Sequence, residues 1–242
     1  MTPGLSALVV ANAADSDPGH VGERLEQRGF RLRTTLREDG GVAGMVDSVR
    51  SVDVVVLLGS EWSVHSPVDT AALKAECALV RSAMAAGIPV LAICYGAQVV
   101  AAACGGVVER AARPEIGWIR VDPTEETDLV VDGPWLAFHT DVVEPPPHAR
   151  LLARNDCGAQ AFLLPGVLAV QFHPEVRPDV VLDWARRFPD LVSEAGLDAP
   201  ELVAQSRARE PEARAAAHAL VDSFLDAVAT SDRLQPRDRS RP

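Results

Sequence analysis

A chain of 242 residues is long enough for one α/β domain that buries roughly 70–75% of the surface exposed by the unfolded chain. The formal net charge of −11 disfavours nucleic acid or an anionic membrane as a partner, and no uncharged run is apolar enough to span a membrane. Four cysteines without paired C-x-x-C spacing provide neither a zinc site nor a disulfide framework. The sequence therefore predicts no metal and a cytoplasmic protein with reduced thiols.

Strands and helices alternate along the first half of the chain. Asp17 and Pro18 open a predicted helix that ends at Gly29, and Asp69 caps a longer helix that ends at Ala86. This alternation predicts an α/β fold with a doubly wound, flavodoxin-like, mostly parallel sheet covered by helices on both faces. The predicted strands of this half cover residues 5–11, 30–36, 52–58 and the apolar run that follows Pro89.

After Gly106 the pattern changes to short strands separated by proline and glycine. We expect these strands to form hairpins added to the sheet, with the last one returning to the sheet. Helical sequence begins at Pro178, and two C-terminal helices are predicted over residues 200–209 and 211–228. The predicted short strands cover residues 107–111, 116–121, 135–138, 151–153, 160–164 and 167–172.

The second C-terminal helix carries an amphipathic stripe that must bury against another surface. Packing on the domain's own sheet is the favoured interpretation, and a homodimer or synthetase contact is the alternative. We divide the chain into a main domain of residues 1–195, a helical extension of residues 196–230 and a disordered tail of residues 231–242. The stripe consists of Ala217, Leu220, Val221, Phe224, Leu225 and Val228.

The most informative segment is IPVLAICYGAQ, at residues 88–98. Its apolar run ends at Cys94, and helix-forming sequence follows at once. Cys94 is therefore expected on a tight strand-to-helix turn, with the small residues Ala92 and Gly96 on either side. This is the arrangement of a nucleophile elbow, with sulfur in place of the serine oxygen. A helix N-terminus favours a thiolate and offers backbone N–H groups to a developing oxyanion.

A second apolar segment, LAVQFHPE at residues 168–175, ends in alternating polar residues. Residues two apart in a strand point to the same side, so Gln171, His173 and Glu175 are expected to share one face. A carboxylate just beyond Pro174 can turn back to hold the imidazole and fix its tautomer. That is what the third member of a catalytic triad does.

ICYGAQ, followed about eighty residues later by QFHPE, resembles the paired motifs of the class I, triad-type glutamine amidotransferases. The closest resemblance is to the glutaminase domain of GMP synthase and its stand-alone relatives, which include the γ-glutamyl peptidases. It covers residues 5–187. It implies Cys94 as nucleophile, His173 as general base and acid, and Glu175 as the residue that orients His173. This chemistry requires neither a metal nor an organic cofactor.

The resemblance also assigns residues around the nucleophile. The third strand ends at Gly59 and Ser60, where the family usually has two glycines, and a backbone N–H there joins the N–H of Tyr95 in an oxyanion hole. Both Gly59 and Ser60 stay open as the donor, because a serine that needed positive φ would be strained. Gln98, one helical turn after Cys94, is implied to contact the γ-glutamyl group of the substrate.

Two further segments match the family. PEIGW at residues 114–118 resembles a border of the substrate pocket, and a hairpin with a core tryptophan is an equal alternative. In FHTD, at residues 138–141, His139 has Asp141 two residues later, so the family match selects His173 as the base. Cys77 is expected in a helical core stripe, and the role of Cys157 is left open.

The implied reaction leaves its biological setting open. Cys94 would attack the side-chain amide of glutamine and form a γ-glutamyl thioester, releasing ammonia and then, on hydrolysis, glutamate. Because the sequence holds no P-loop or second catalytic domain, one interpretation is a glutaminase that supplies a separate synthetase. The other is a free-standing hydrolase of a larger γ-glutamyl amide or peptide. A binding protein on this fold is disfavoured by the complete triad.

Overall fold

The computed structural model describes residues 4–65, 70–124, 127 and 129–229. The strands are β1 (Ser6–Ala11), β2 (Arg31–Leu36), β3 (Val54–Leu57), β4 (Val90–Ile93), β5 (Val107–Ile119), β6 (Asp122–Pro123), β7 (Trp135–Glu144), β8 (Arg150–Asn155), β9 (Gly158–Leu164) and β10 (Val167–Val170). The helices are α1 (Gly19–Gln27), α2 (Gly41–Ser48), α3 (Thr70–Ala86), α4 (Tyr95–Cys104), α5 (Pro178–Arg187), α6 (Pro189–Glu194) and α7 (Ala199–Ala229). None of the helices in these ranges is long and apolar enough to cross a membrane.

The main sheet has eight strands in the order β2-β1-β3-β4-β10-β9-β8-β6. The first five are parallel, and β9, β8 and β6 continue the sheet in antiparallel pairing. Parallel strands in this order, joined by helices, form a doubly wound, flavodoxin-like sheet, which confirms the predicted fold class. The carboxyl ends of β3, β4 and β10 lie side by side at one edge.

Alternation along the strands builds a core on each face of the sheet. In β1, Ala7 and Val9 face the side covered by α1 and α7, whereas Leu8 and Val10 face the side covered by α2, α3 and α4. All four of these side chains are fully buried. A strand buried on both faces needs the continuous apolar sequence that predicted it.

Strand β5 and helix α2 differ from the sequence prediction. The predicted strands 107–111 and 116–121 form the single strand β5, which pairs with β7 in a separate two-stranded sheet and shifts register between Arg110 and Glu115. Strands β8 and β9 form an antiparallel hairpin added to the main sheet, as predicted. Helix α2 was not predicted, because its glycine-rich sequence GVAGMVDS has low helix propensity and forms by packing on α3.

The C-terminal segment forms one continuous helix, α7, with Pro211 inside it, so the prediction of two helices was wrong. An interior proline costs about 3 kcal/mol. Packing on both sides of Pro211 outweighs that cost: Leu202 is buried with α5, and Val221 and Phe224 are buried in the core beneath the sheet. The favoured intramolecular packing of the stripe is thereby confirmed. The proposed tail and the helix cap at Asp69 lie outside the described residues.

Candidate active site

Cys94 occupies the turn between β4 and α4, as the sequence predicts. Its backbone has φ 50° and ψ −108°, and it is the one non-glycine residue with positive φ among the residues described. The Cys94 N–H donates to the carbonyl of Val170 at the end of β10, at 2.8 Å. A Cβ at Gly96 would lie 2.5 Å from the carbonyl oxygen of Leu57, so glycine is needed for the turn to pack against β3. A strained backbone held this firmly is typical of functional sites.

His173 and Glu175 follow β10 and face the same turn. His173 Nδ1 lies 2.7 Å from Glu175 Oε1, and the His173 N–H donates to the Leu136 carbonyl at 2.8 Å. Each of the two side chains belongs to a residue that is 5% exposed. The carboxylate accepts the Nδ1 proton and so leaves Nε2 as the nitrogen available for proton transfer. Nε2 is buried without a hydrogen-bond partner among the described residues.

The electrostatics of His173 follow from this enclosure. Burial alone would lower the pKa of the imidazole, but the charge of Glu175 and the neighbouring sulfur of Cys94 raise the pKa well above its ordinary value. The edge of the ring also contacts Trp184, with the ring centroids 4.8 Å apart. The site thus favours a positively charged imidazolium beside the cysteine sulfur.

Gly59, at the end of β3, closes the site from the third strand. A Cβ built on Gly59 would lie 2.7 Å from His173 Cε1 and 3.6 Å from Cys94 Cβ. Three neighbouring strand ends therefore bring the thiol, the imidazole and this turn together. Ser60 has no positive φ, so a serine in place of the family's glycine is not strained here. Its hydroxyl accepts from the Trp62 N–H at 2.9 Å, which fixes the turn.

Gln171 contacts the sulfur, a role that the sequence did not reveal. The strand ends at Val170, and Gln171 Nε2 then donates to Cys94 Sγ at 3.5 Å. The Gln171 N–H donates to the carbonyl of Gln160 in β9 at 2.8 Å. The only sequence signal for this contact was the predicted position of Gln171 on the same strand face as His173 and Glu175.

His139, the alternative base, has an oxygen atom close to each ring nitrogen. Nδ1 lies 2.9 Å from the carbonyl oxygen of Asp141, and Nε2 lies 2.9 Å from Glu115 Oε2. Burial tends to raise the pKa of Glu115, but His139 and the amide of Asn155 hold it below its ordinary value. Gln160 Nε2 also donates to Glu115 Oε2, at 2.8 Å. Each ring nitrogen of His139 therefore faces a fixed oxygen at 2.9 Å, whereas Nε2 of His173 faces no such oxygen in the described part of the chain.

A pocket of about 130 Å³ opens over Cys94. Gln98 lines it, as the family resemblance implied, and its Oε1 is buried without a partner among the described residues. Asp141 lines the pocket as well, accepts from the Ser63 hydroxyl at 2.9 Å, and has Arg110 Nη1 at 3.7 Å from its second oxygen. The other lining residues include Ser60, Trp62, Ile116, Phe138, His173 and Trp184.

The segment PEIGW, at residues 114–118, contributes both to the border of the pocket and to the packed core. Ile116 lines the pocket, whereas Trp118 packs against an apolar cluster and donates from Nε1 to the Ser206 hydroxyl at 3.0 Å. Glu115 belongs to the His139 network described above. Among the described residues, no group of three or more His, Cys, Asp or Glu side chains could hold a metal ion.

The other thiols differ from Cys94 in their surroundings. Cys77 is buried in the core, as predicted, and burial raises its pKa. Cys104 has a pKa raised by burial in the same way. Cys157 is exposed, and partial desolvation of its sulfur together with the adjacent charge of Glu115 raises its pKa to about 11. At neutral pH Cys157 is therefore expected to be mostly a neutral thiol.

Comparison with known protein families agrees with the observed fold and with the position of Cys94 on the turn after β4. The family model described as Glutamine amidotransferase class-I matches residues 52–181, which is more than half of the chain. The chain belongs to the class-I glutamine amidotransferase family. The matched range contains Cys94, His173 and Glu175.

Individual relatives refine the comparison. The chain is 32% identical over 149 residues to one of the subunits of the glutamine-hydrolyzing GMP synthase of Saccharolobus solfataricus, covering 54% of this chain and 72% of the relative. It is 40% identical over 98 residues to the glutamine-hydrolyzing GMP synthase of Gloeobacter violaceus, covering 37% of this chain and 18% of that protein. The match thus spans less than a fifth of the longer relative.

Solved structures show the same fold. A glutamine amidotransferase from Thermotoga maritima superposes with a TM-score of 0.78 at 19% identity, covering 92% of this chain and 98% of the other. A glutamine amidotransferase from Methylobacillus flagellatus gives a TM-score of 0.75 at 22% identity, with 98% of both chains covered. The shared architecture extends well beyond residues 52–181.

Proposed function

We propose that this protein is a cysteine-dependent glutaminase in which Cys94, His173 and Glu175 form the catalytic triad. One observation carries the proposal. The Cys94 turn lies against an imidazole whose Nδ1 is 2.7 Å from a buried carboxylate and whose pKa is raised by that carboxylate and by the Cys94 sulfur. Membership of the class-I glutamine amidotransferase family supports glutamine as the amide.

The proposed reaction proceeds in two stages. The Cys94 thiolate attacks the side-chain carboxamide carbon, the C–N bond breaks, and His173 gives its Nε2 proton to the departing nitrogen, which leaves as ammonia. His173 then takes a proton from water, and the hydroxide attacks the γ-glutamyl thioester. The C–S bond breaks and releases the Cys94 thiolate, and glutamate leaves with its new carboxylic proton lost to solvent. His173 keeps the proton that it took from water, which restores the starting pair of thiolate and imidazolium.

The tetrahedral oxyanion of each stage is assigned to the backbone N–H groups of Ser60 and Tyr95. Ser60 lines the pocket beside Cys94, and Tyr95 is the first residue of α4, at the helix end where the dipole favours negative charge. One such donor typically contributes about 3–4 kcal/mol to transition-state stability. The N–H of Gly59 is the second choice, because Gly59 is packed against His173.

The charges at the pocket mouth suit an α-amino acid. Asp141 is 4% exposed and could accept from an α-ammonium group, while Arg110 could bind the α-carboxylate in place of Asp141. Gln98, which lines the same pocket, is proposed to contact the γ-glutamyl chain. The substrate would then lie between a charged mouth and the sulfur.

Two settings for this hydrolysis are proposed. The resemblance to a relative named as part of a GMP synthase with several subunits supports delivery of ammonia to a separate synthetase. A second cavity, of about 500 Å³, shares Arg110 and Ile116 with the pocket over Cys94. This additional space supports the alternative setting, hydrolysis of a larger γ-glutamyl conjugate. A cytoplasmic setting is proposed because the nucleophile must stay reduced.

Purified protein tests the proposal directly. Ammonia and amine release is measured with glutamine and with γ-glutamyl amides of increasing size, using the wild type, Cys94→Ala and Cys77→Ala as the matched control. Turnover that is lost only in Cys94→Ala, together with a glutamine-analogue electrophile mapped to Cys94 by mass spectrometry, supports the triad. Labelling at Cys157, or turnover in Cys94→Ala, overturns it.

A further inference from the structure

Arg37 is a guanidinium enclosed in the core. It directly follows β2 and is 2% exposed, and its partner Glu76 in α3 is 0% exposed. Arg37 Nε donates to Glu76 Oε2 at 3.1 Å, and Nη2 donates to Oε1 at 3.1 Å. Charged side chains are rarely buried to this extent, and then only when paired. The pair lies outside the triad, and the proposed reaction has not used it.

The remaining donors of Arg37 reach the turn after β3. Nη2 donates to the Leu58 carbonyl at 2.8 Å, and Nη1 donates to the Gly59 carbonyl at 3.0 Å. Nη1 also donates to Asn12 Oδ1 at 2.7 Å. All five N–H groups of the guanidinium therefore have acceptors, and two of these acceptors are consecutive backbone carbonyls beside the pocket.

This contact fixes the direction of the Ser60 N–H. The carbonyl of Gly59 and the N–H of Ser60 belong to one trans peptide, in which the two groups point in opposite directions. Because the carbonyl points at Arg37, the Ser60 N–H points away from Arg37. Ser60 itself lines the pocket that contains Cys94.

Arg37 also contacts the other half of the proposed oxyanion hole. Its guanidinium carbon lies 4.9 Å from the centroid of the Tyr95 ring. Tyr95 is 1% exposed and immediately follows Cys94. One buried cation thus joins the two backbone segments that supply the proposed oxyanion donors.

We propose that Arg37 is a positioning residue that aims the N–H groups of Ser60 and Tyr95, with Glu76 balancing its charge in the core. This inference rests on the proposed function, because the oxyanion belongs to that hydrolysis. Arg37 does not touch the substrate and acts through the backbone. If the Arg37–Glu76 pair only stabilised the core, compensation of the two charges would be sufficient. The two hydrogen bonds from Arg37 to the carbonyls of the turn after β3 would then not be needed.

Three variants separate catalysis from stability. Arg37→Gln alone leaves Glu76 charged and buried, which can unfold the protein, so the main variant is Arg37→Gln combined with Glu76→Gln. Glu76→Gln alone keeps Arg37 and its bonds to the turn. Val80→Ala, in the core of α3, loses stability without touching the turn and is the matched control.

We expect kcat to fall in the variant that lacks Arg37, and not in variants that only have a lower melting temperature. The double variant should lose about 100-fold in kcat with little change in KM, because an oxyanion donor acts in the transition state. Its Cys94 should still react with iodoacetamide at the wild-type rate, since that alkylation needs only the thiolate. Glu76→Gln and Val80→Ala should keep most of their kcat. Wild-type kcat in the double variant, or an equal loss in Val80→Ala, overturns the inference.

A measurement without substrate completes the test. Hydrogen exchange at the Ser60 amide should be faster in the double variant than in Glu76→Gln or Val80→Ala, because the turn has lost its anchor. Equal exchange in all variants overturns the positioning role. If instead the wild type releases no ammonia or amine from any γ-glutamyl amide, the proposed function fails, and the exchange result still decides whether Arg37 orders the turn.

Discussion

Gly59→Ala is the sharpest perturbation of the site, because one added methyl group meets the imidazole directly. The new Cβ would lie 2.7 Å from His173 Cε1, whereas ordinary van der Waals contact begins at 3.4 Å. The ring must therefore move by about 0.7 Å, which is the difference between these two distances. Glu175, at 2.7 Å from Nδ1, and Trp184, at 4.8 Å between ring centroids, oppose that movement.

The expected cost appears mainly in catalysis. A displacement approaching 1 Å in a reacting group can lower turnover about 100-fold, so kcat for glutamine hydrolysis should fall by about 10- to 100-fold. Overpacking should lower the free energy of unfolding by about 1–3 kcal/mol. Steady-state kinetics and chemical denaturation measure the two effects separately.

Gly44→Ala is the matched control for this variant. Gly44 has no heavy atom within 4 Å of its Cβ position and lies inside α2, where alanine is the better helix former. It should keep wild-type kcat and gain up to about 1 kcal/mol in stability. Wild-type kcat in Gly59→Ala would refute the placement of the imidazole against this turn.

Three further predictions concern the histidines, the Glu115 network and the last helix. His173→Asn should abolish turnover in a kinetic assay, whereas Glu175→Gln should keep a measurable fraction of it. The base would have to be reassigned if His139→Asn lost as much turnover as His173→Asn while Glu175→Gln had no effect. The lowered pKa of Glu115 stabilises the fold above about pH 4.5, and this contribution is lost as the pH falls through the folded-state pKa. The melting temperature should therefore fall more steeply on acidification in the wild type than in Glu115→Gln, and parallel curves would contradict the linkage. Truncation after Glu210 should lower the melting temperature measured by circular dichroism, because each apolar stripe residue contributes roughly 1.5–3 kcal/mol and a domain has about 5–15 kcal/mol in total. A truncated monomer with wild-type stability and activity would contradict the packing of α7.

The parts of the site that sequence could predict are those coded locally. The strand, the turn at Cys94 and the helix after it follow from an apolar run, small residues and helix-forming sequence within eleven residues. His173 and Glu175 lie two residues apart, so their contact needs only a chain that turns at Pro174. The parallel order of the strands then brings these two local motifs together.

The parts that sequence could not predict depend on contacts between distant segments. Arg37 and Glu76 are 39 positions apart, and nothing local marks either of them for burial. Pro211 signals a helix break, yet the burial of side chains before and after it keeps α7 continuous. Helix α2 has weak local propensity and forms because α3 covers it. Tertiary packing overrides the local signal in each case.

The attachment of Glu175 to helix α1 has a consequence for partial unfolding. The Glu175 carbonyl accepts from the His20 N–H at 2.9 Å, and α1 is in turn tied to α7 by Arg24 and Arg28, which both pair with Asp222 at 2.6 Å. If α7 detaches while the parallel strands stay intact, α1 loses its cover and Glu175 loses a fixed backbone neighbour. Heating or limited proteolysis of α7 should then inactivate the protein before the central sheet melts.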